Sequence, residues 1–222
     1  DPSGPIVDPF AVDLDQDDHQ DIVSCTSTST FSCRVLYGNG TGKFGADDLT
    51  SSSTIGREPR AARVADFDHD GFADIVGISR GENHAVVIYG GGSTPSGRVV
   101  FPTGLRPSDV EVLDINNDGF ADFVVGNDGS RDLSIFVNQG NRQFLALAPV
   151  RLPSLADSSM GLIALASGDI NGDGAMDLAA LQAGGSAGGV VTLLINVGGV
   201  GLAALRSLPV GQLAWGIALG HL

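Results

Sequence analysis

The chain has 222 residues, and its 26 acidic side chains outnumber the 12 basic ones to give a net charge of −14. This negative charge disfavours nucleic acid and anionic membranes as partners, because both would repel it. The length allows one large domain or two small ones, and the regular repeat described below favours one continuous body over residues 1–222.

Short strands predominate along the sequence. Residues 1–12 contain three prolines and indicate an extended arm that enters the first strand. From there a strand, an acidic loop, a strand, a turn, a strand, a glycine-rich turn and a strand follow one another, and this order recurs in each repeat. The third strand is predicted at residues 34–37, 85–89, 133–137 and 190–195. No amphipathic helix of about ten or more residues is evident, so we predict an all-β protein.

The first strand of each repeat leads into a nine-residue acidic loop. Loops 1 to 4 occupy residues 13–21, 66–74, 114–122 and 169–177, and their first residues lie 53, 48 and 55 positions apart. Positions 1, 3, 5 and 9 carry aspartate or asparagine, position 7 offers a backbone carbonyl, and position 6 is glycine except for Asp18 in loop 1. The predicted metal ligands are Asp13, Asp15, Asp17, His19 and Asp21; Asp66, Asp68, Asp70, Phe72 and Asp74; Asp114, Asn116, Asp118, Phe120 and Asp122; and Asp169, Asn171, Asp173, Ala175 and Asp177.

Oxygen ligands at alternate positions of a tight turn predict a calcium site in each loop, and so up to four Ca²⁺. Two carboxylates about 4 Å apart repel by roughly 4 kcal/mol at an effective dielectric constant near 20, so a crowded loop needs a cation. Four Ca²⁺ would leave a net charge of about −6. Hard oxygen ligands disfavour a transition metal at His19 or His69, and Mg²⁺ prefers a smaller shell richer in water. Loop 1 is the weakest copy, because it lacks the glycine.

An EF-hand is the competing interpretation of this spacing. Its loop needs a glutamate at position 12, where the four loops have serine, glycine, valine and alanine, and it needs a helix on each side. The flanks here are short and β-branched, as at residues 63–65 and 75–78. We therefore predict that each loop closes a β-hairpin.

Four antiparallel strands in about 50 residues are the unit of a β-propeller blade. The pattern Asp-x-Asp/Asn-x-Asp-Gly-x-x-Asp, with Val-Leu-Tyr-Gly-Asn-Gly-Thr-Gly-Lys-Phe at residues 35–44, resembles the FG-GAP/VCBS repeats of integrin-α-type propellers. The resemblance covers nearly the whole chain. It implies calcium in the hairpin loops, usually seven blades, and a role in adhesion or ligand binding, and it seldom implies catalysis by the propeller itself.

The predicted blades occupy residues 8–60, 61–108, 109–160 and 161–212, and residues 213–222 match the first strand of a fifth blade. A closed ring cannot use one strand twice at the same seam. We therefore expect a fragment of a longer propeller, and the alternative is that the last strand completes a blade in another copy of the chain. The predicted fold is all-β, with blades of four antiparallel strands in a partial propeller or in part of an assembly.

Cys25 and Cys33 are the only cysteines and lie at the facing ends of two predicted strands. A cross-strand disulfide fits that arrangement, and the alternative is a pair of free thiols. A disulfide and calcium loops suit a secreted or cell-surface protein. The chain starts at Asp1 without a signal peptide, as expected of a mature or trimmed product. Asn39 begins an N-glycosylation sequon on a predicted turn.

Two further features have simple explanations. Residues 77–81 match the Gly-x-Ser-x-Gly pattern of hydrolases, but a strand follows where that motif needs a helix, so we expect no catalysis at Ser79. Residues 178–205 carry no formal charge, yet glycines break them into strand-length pieces, which argues against membrane insertion. The charge-free run then predicts two buried strands or a blade that faces another protein.

These observations predict a non-enzymatic extracellular module that calcium stabilises. It would serve adhesion or structural assembly through contacts with a protein partner or with other copies of itself. The alternatives are a lectin-like propeller that binds glycans and an accessory domain of a larger secreted enzyme. The chain has one Trp, two Tyr and ten Phe, without a repeated exposed aromatic motif, which makes the lectin the weaker interpretation.

Overall fold

The structure is a computed structural model that describes residues 6–14, 16–26, 32–48, 55–91, 96–153, 161–183, 188–198, 201–211 and 216–219. These residues form seventeen strands and no helix. The predicted all-β class is therefore confirmed. The described part of the chain also contains no helix of the length and apolar character that crossing a membrane requires.

Unit 1 of the chain, Asp1–Pro102, holds two antiparallel sheets whose strands follow sequence order. Blade 1 consists of β1 (Ile6–Val12), β2 (Asp21–Thr26), β3 (Ser32–Gly38) and β4 (Phe44–Asp48). Blade 2 consists of β5 (Pro59–Ala65), β6 (Asp74–Ser79), β7 (His84–Tyr89) and β8 (Gly97–Pro102). Both are the four-stranded blades that the sequence predicted.

Unit 2, Thr103–Leu222, holds the other two sheets. Blade 3 consists of β9 (Pro107–Leu113), β10 (Asp122–Asn127), β11 (Asp132–Asn138) and β12 (Phe144–Ala146), and the short β13 (Val150–Arg151) also pairs with β11. Blade 4 consists of β14 (Gly161–Gly168), β15 (Asp177–Ala183), β16 (Gly189–Asn196) and β17 (Leu202–Val210). The described residues 216–219 are not in a strand, so their role as the start of a fifth blade stays a prediction.

The two inner strands of the blades form the core of each unit. Every residue of β6, β10, β11 and β15 is buried, because these strands are covered on both faces. In unit 2 a single apolar cluster joins blades 3 and 4, and Gly126 has no side chain at the point where Leu162 packs against β10. A Cβ at Gly126 would lie 2.1 Å from Leu162 Cδ2. The blades of unit 2 therefore pack closely enough to hold neighbouring loops in a fixed relation.

The register of blade 1 pairs Cys25 of β2 directly with Cys33 of β3. This is the facing arrangement of the backbone that the predicted cross-strand disulfide needs. The two side chains lie outside the described part of the structure, so the disulfide stays a prediction.

Candidate functional site

Each acidic loop joins the first and second strands of a blade, as the sequence predicted. In all four blades the position-9 aspartate is the first residue of the second strand, as with Asp74 in β6. The apolar residue at position 2 points the other way, and Phe67 is fully buried. Alternation along the backbone thus sends position 2 into the core while positions 1 and 3 remain available to a ligand.

Two left-handed residues shape each loop. Position 6 has φ of 90° at Gly71, 88° at Gly119 and 86° at Gly174. In loop 1 the same conformation is taken by Asp18, with φ of 66°, which aspartate tolerates better than most residues. The missing glycine therefore leaves position 6 of loop 1 in the left-handed conformation. Position 4 is also left-handed in every loop, although the ligand spacing does not predict it; its residues are Gln16, His69, Asn117 and Gly172.

Backbone N–H groups hold the carboxylates at positions 1 and 5. The position-1 carboxylate accepts a bond from the N–H at position 6, at 3.0 Å in loop 2 and 2.9 Å in loop 3. The position-5 carboxylate accepts a bond from the N–H at position 7, at 2.8 Å in loop 2 and 2.9 Å in loop 3. Both bonds recur in loops 1 and 4. These bonds therefore orient the carboxylates at positions 1 and 5 of each loop.

The position-9 aspartate connects each loop to the end of the third strand. In loop 2 Asp74 is fully buried, and its carboxylate accepts one bond from the N–H of Phe67 and one from the N–H of Gly90, each at 2.7 Å. The same pair of bonds recurs in all four loops, where the distant donor is the N–H of Gly38, Gly90, Asn138 or Asn196. The ligand spacing does not predict these donors; the available signal in the sequence is a glycine or asparagine at the end of every third strand.

Loop 2 brings three carboxylates together. One oxygen from each of Asp66, Asp68 and Asp74 lies within 4.8 Å of the others. The Oδ1 atom of Asp66 is buried and has no hydrogen-bond partner. A buried carboxylate oxygen without a donor is costly, because it has lost water and gained nothing in return. A hard divalent cation at this point would satisfy it, so the residues of loop 2 fit Ca²⁺.

Loops 3 and 4 carry asparagine at position 3, and its amide supplies a donor inside the loop. Asn116 Nδ2 donates to Asp118 Oδ2 at 2.8 Å, and Asn171 Nδ2 donates to Asp173 Oδ2 at 2.9 Å. The ligand positions of these loops thus carry three carboxylates and one amide, but among the described residues only loop 2 has three carboxylates within 4.8 Å of one another. In loop 1 the predicted ligand Asp15 lies outside the described residues, while Asp13 and Asp17 keep the bonds found in the other loops.

Burial and backbone hydrogen bonds shift the pKa values of three of these carboxyl groups, raising two of them and lowering the third. Loss of solvent raises the pKa of Asp74 to about 6, against the opposing effect of the N–H groups of Gly90 and Phe67. The same balance raises the pKa of Asp122 to about 6. At the loop surface, the N–H of Gly174 and its neighbours lower the pKa of Asp169. Buried Asp74 and Asp122 thus ionise less readily than an aspartate of an unfolded chain, whereas Asp169 ionises more readily.

The other predicted sites have simpler surroundings. Ser79 is buried and its hydroxyl donates to the carbonyl oxygen of Arg57 at 2.6 Å, which is a structural contact. Asn39 is exposed, and Thr41 Oγ1 donates to Asn39 Oδ1 at 2.7 Å. Glycosylation at Asn39 stays a prediction.

Four-stranded blades with an acidic loop between their first two strands define a propeller-type repeat. The chain matches the FG-GAP-like repeat three times, over residues 13–77, 66–125 and 114–180. It therefore belongs to the FG-GAP-like repeat family, as its resemblance predicted.

Solved structures that resemble the chain are much longer than it is. The V. cholerae biofilm matrix protein Bap1 is 17% identical, with a TM-score of 0.48 over 87% of this chain and 36% of that one. BBS1N, solved in complex with ARL6DN and soaked with lead, is 14% identical, with a TM-score of 0.42 over 68% of this chain and 43% of that one. No curated protein matches the sequence.

Proposed function

We propose that this chain is a non-enzymatic, extracellular module that binds calcium for stability and works in adhesion or structural assembly through protein contacts. The observation that carries the calcium part is the buried, unpartnered Oδ1 atom of Asp66 beside the carboxylates of Asp68 and Asp74. Membership of the FG-GAP-like repeat family supports the same conclusion.

The cation has a structural role in this proposal. Positions 1, 3, 5 and 9 of each loop would hold it together with the carbonyl at position 7, and its charge would offset the repulsion between the carboxylates. Because position 9 also holds the end of the third strand, a filled loop fixes three strands of its blade. In loop 2 these are β5, β6 and β7, which Asp74 joins through Phe67 and Gly90.

Thermal unfolding with and without calcium tests this role. When the free calcium concentration is about 100 times the dissociation constant of a site, binding stabilises the folded state by roughly 2.7 kcal/mol. For a chain of this size, that corresponds to a rise in Tm of about 5 to 10 °C. We expect Asp66→Ala to lose the part of the calcium-dependent rise in Tm that comes from the site in loop 2. Magnesium at the same concentration is the control cation. Equal Tm values in calcium and in chelator would refute the structural role.

The assembly part of the proposal rests on blade 4. The residues from 178 to 205 carry no charge, and within this run Val197 is 55% and Leu205 67% exposed. Leu205 lies on the edge strand β17 and Val197 follows β16, and exposed apolar side chains in such a charge-poor region favour contact with another protein surface. Their position supports either a protein partner or a second copy of the chain as the occupant.

Sedimentation velocity over a range of protein concentrations tests self-assembly. We expect association of the unaltered protein in calcium, and we expect Leu205→Asp to weaken it. Leu105→Asp is the matched control, because Leu105 is a 59% exposed leucine of unit 2 outside blade 4. A protein that stays monomeric at every concentration, or an equal effect of both substitutions, would contradict assembly through this edge.

A further inference from the structure

A buried line of hydrogen bonds connects loop 4 with loop 3. Asp177, at position 9 of loop 4, accepts the N–H of Asn196 at 2.8 Å. The side-chain amide of Asn196 then donates to the carbonyl of Ile115 at 2.7 Å, across 81 residues of sequence. Ile115 in turn donates its N–H to Asp122 at 2.8 Å. The line therefore runs from one position-9 carboxylate to the next.

Both ends of this line lie on predicted calcium ligands. Ile115 is position 2 of loop 3, between Asp114 and Asn116, so a bond to its carbonyl fixes the peptide that precedes a ligand residue. Asn196 and Ile115 are each 1% exposed, so water does not compete for the bond between them. The bond from Asn196 to Ile115 therefore joins the two loops through groups that are shielded from water.

The side chain of Asn196 is the component that crosses between blades. At the corresponding position blades 1 and 2 have Gly38 and Gly90, which provide the N–H bond to position 9 but no side chain. Blade 3 has Asn138, whose amide donates at 3.1 Å to Ala121 in its own blade. Asn196 also lies 3.3 Å from the carbonyl of Met176 in its own blade, a longer contact than its 2.7 Å bond to Ile115.

From this connection we propose that the calcium sites of loops 3 and 4 are positively coupled, and that Asn196 carries the coupling. The inference rests on the calcium binding proposed above. A cation in loop 4 fixes Asp177 and, through Asn196, the backbone of loop 3, so a second cation meets a loop that is already ordered. By linkage, a cation in loop 3 favours loop 4 by the same factor.

A residue-resolved calcium titration of the full chain tests the coupling. The amides of Gly119 and Gly174 report loops 3 and 4 separately in nitrogen–proton NMR spectra, since each N–H donates to the position-1 carboxylate of its own loop. The double substitution Asp169→Asn, Asp173→Asn disables loop 4 without changing side-chain size. We expect it to weaken calcium binding at loop 3 about five-fold, the lower end of ordinary coupling between sites.

The effect should disappear when Asn196 is changed. In Asn196→Ala, disabling loop 4 should leave the affinity of loop 3 as it is in Asn196→Ala alone. Asn138→Ala removes a buried asparagine of the same kind and should keep the five-fold effect. If Asn196→Ala does not fold, Asn196→Gly places there the residue that blades 1 and 2 use.

The outcomes separate the coupling from calcium binding itself. If both glycine amides respond to calcium but loop 3 binds equally well with loop 4 intact or disabled, the coupling is wrong and calcium binding stands. A five-fold effect that survives Asn196→Ala would overturn the role of Asn196. If neither amide responds at millimolar calcium, the proposed function fails first.

Discussion

Loops 2 and 3 share left-handed residues at positions 4 and 6, and among the side-chain ligand positions 1, 3, 5 and 9 they differ only at position 3. In loop 3 Asn116 uses its oxygen to accept the N–H of Asp118 at 3.1 Å and its amide to donate to the carboxylate of Asp118 at 2.8 Å. The N–H of Asp118 also lies 3.2 Å from Oδ1 of Asp114. In loop 2 an aspartate, Asp68, stands at position 3, and Oδ1 of Asp66 is buried with no partner.

The comparison shows that aspartate and asparagine are not equivalent at a ligand position. Either offers an oxygen to a cation, but only the amide supplies a donor when no cation is bound. Loop 3 can therefore satisfy its carboxylates from within, whereas loop 2 has one more negative charge and one donor fewer. We infer that loop 2 depends on calcium more strongly than loop 3 does.

The largest effect is expected at position 9, where the two loops agree. Asp74→Asn and Asp122→Asn each replace a buried carboxylate that accepts two backbone N–H bonds, and the new amide cannot accept both. We expect each to lower the free energy of unfolding by about 3 kcal/mol in calcium, measured by urea denaturation. Asp18→Asn, at an exposed position, is the control and should change it by less than about 0.5 kcal/mol. If the two variants lost clearly different amounts of unfolding free energy, position 9 would also contribute to the difference in calcium dependence between loops 2 and 3.

The next effect tests position 3 of loop 2. Asp68→Asn removes one of the crowded charges and supplies the donor that loop 3 has. We expect this variant to be more stable than the unaltered protein by about 1 kcal/mol in chelator, and to gain less from calcium. Tm measured under both conditions gives the two changes separately. A loss of stability in chelator would show that Asp68 is not the source of the strain around Asp66.

The reverse change in loop 3 should have a smaller effect, because Asp118 is exposed and solvent weakens the added repulsion. Asn116→Asp deletes the amide donor to Asp118 and creates the ligand set of loop 2. We expect it to lower Tm by about 1 to 3 °C in chelator and to increase the gain in Tm from calcium. Asn117→Asp, which puts the same charge at the non-ligand position 4, is the matched control. If both variants changed Tm equally in chelator and in calcium, a charge at the ligand position 3 would act no differently from a charge at position 4.

The periodic parts of this architecture could be predicted from the sequence. Ligand spacing and β-branched flanks placed each loop in a hairpin, and the position-9 aspartates do begin the second strands. Those features are local, so nine or so residues contain all the necessary information. The short strand β13 was not predicted, because two residues carry no periodic signal.

The connections between distant segments could not be predicted. The donors to position 9 come from residues 16 to 19 positions further on, and Asn196 reaches Ile115 across 81 residues. Such contacts depend on how strands stack, which a single sequence does not encode in its spacing. Asp66 and Asp114 were both predicted as position-1 ligands. The sequence could not show that Oδ1 of Asp66 has no hydrogen-bond partner whereas Oδ1 of Asp114 accepts the N–H of Asp118.

The smallest effect is a pH dependence that loops 2 and 3 should share. Burial raises the pKa of both Asp74 and Asp122 to about 6, well above the value of about 3.9 for an unfolded chain. The folded state therefore binds protons more tightly than the unfolded state between these values, and stability falls as pH rises through the window. We expect the calcium-free protein to gain about 1 to 2 °C in Tm from pH 7 to pH 6.

In the calcium-free protein, the shifted pKa of Asp169 should not hide this pH effect. The lowered pKa of Asp169 acts in the opposite direction, but only below its ordinary value of 3.8, outside the window. With calcium bound the trend should reverse, because protons then compete with the cation for the same carboxylates. Asp74→Asn should remove part of the calcium-free trend, whereas Asp18→Asn, at an exposed position of loop 1, should keep it. If the double variant Asp74→Asn, Asp122→Asn still gained Tm from pH 7 to pH 6 without calcium, the pH dependence would have to arise from other groups in the chain.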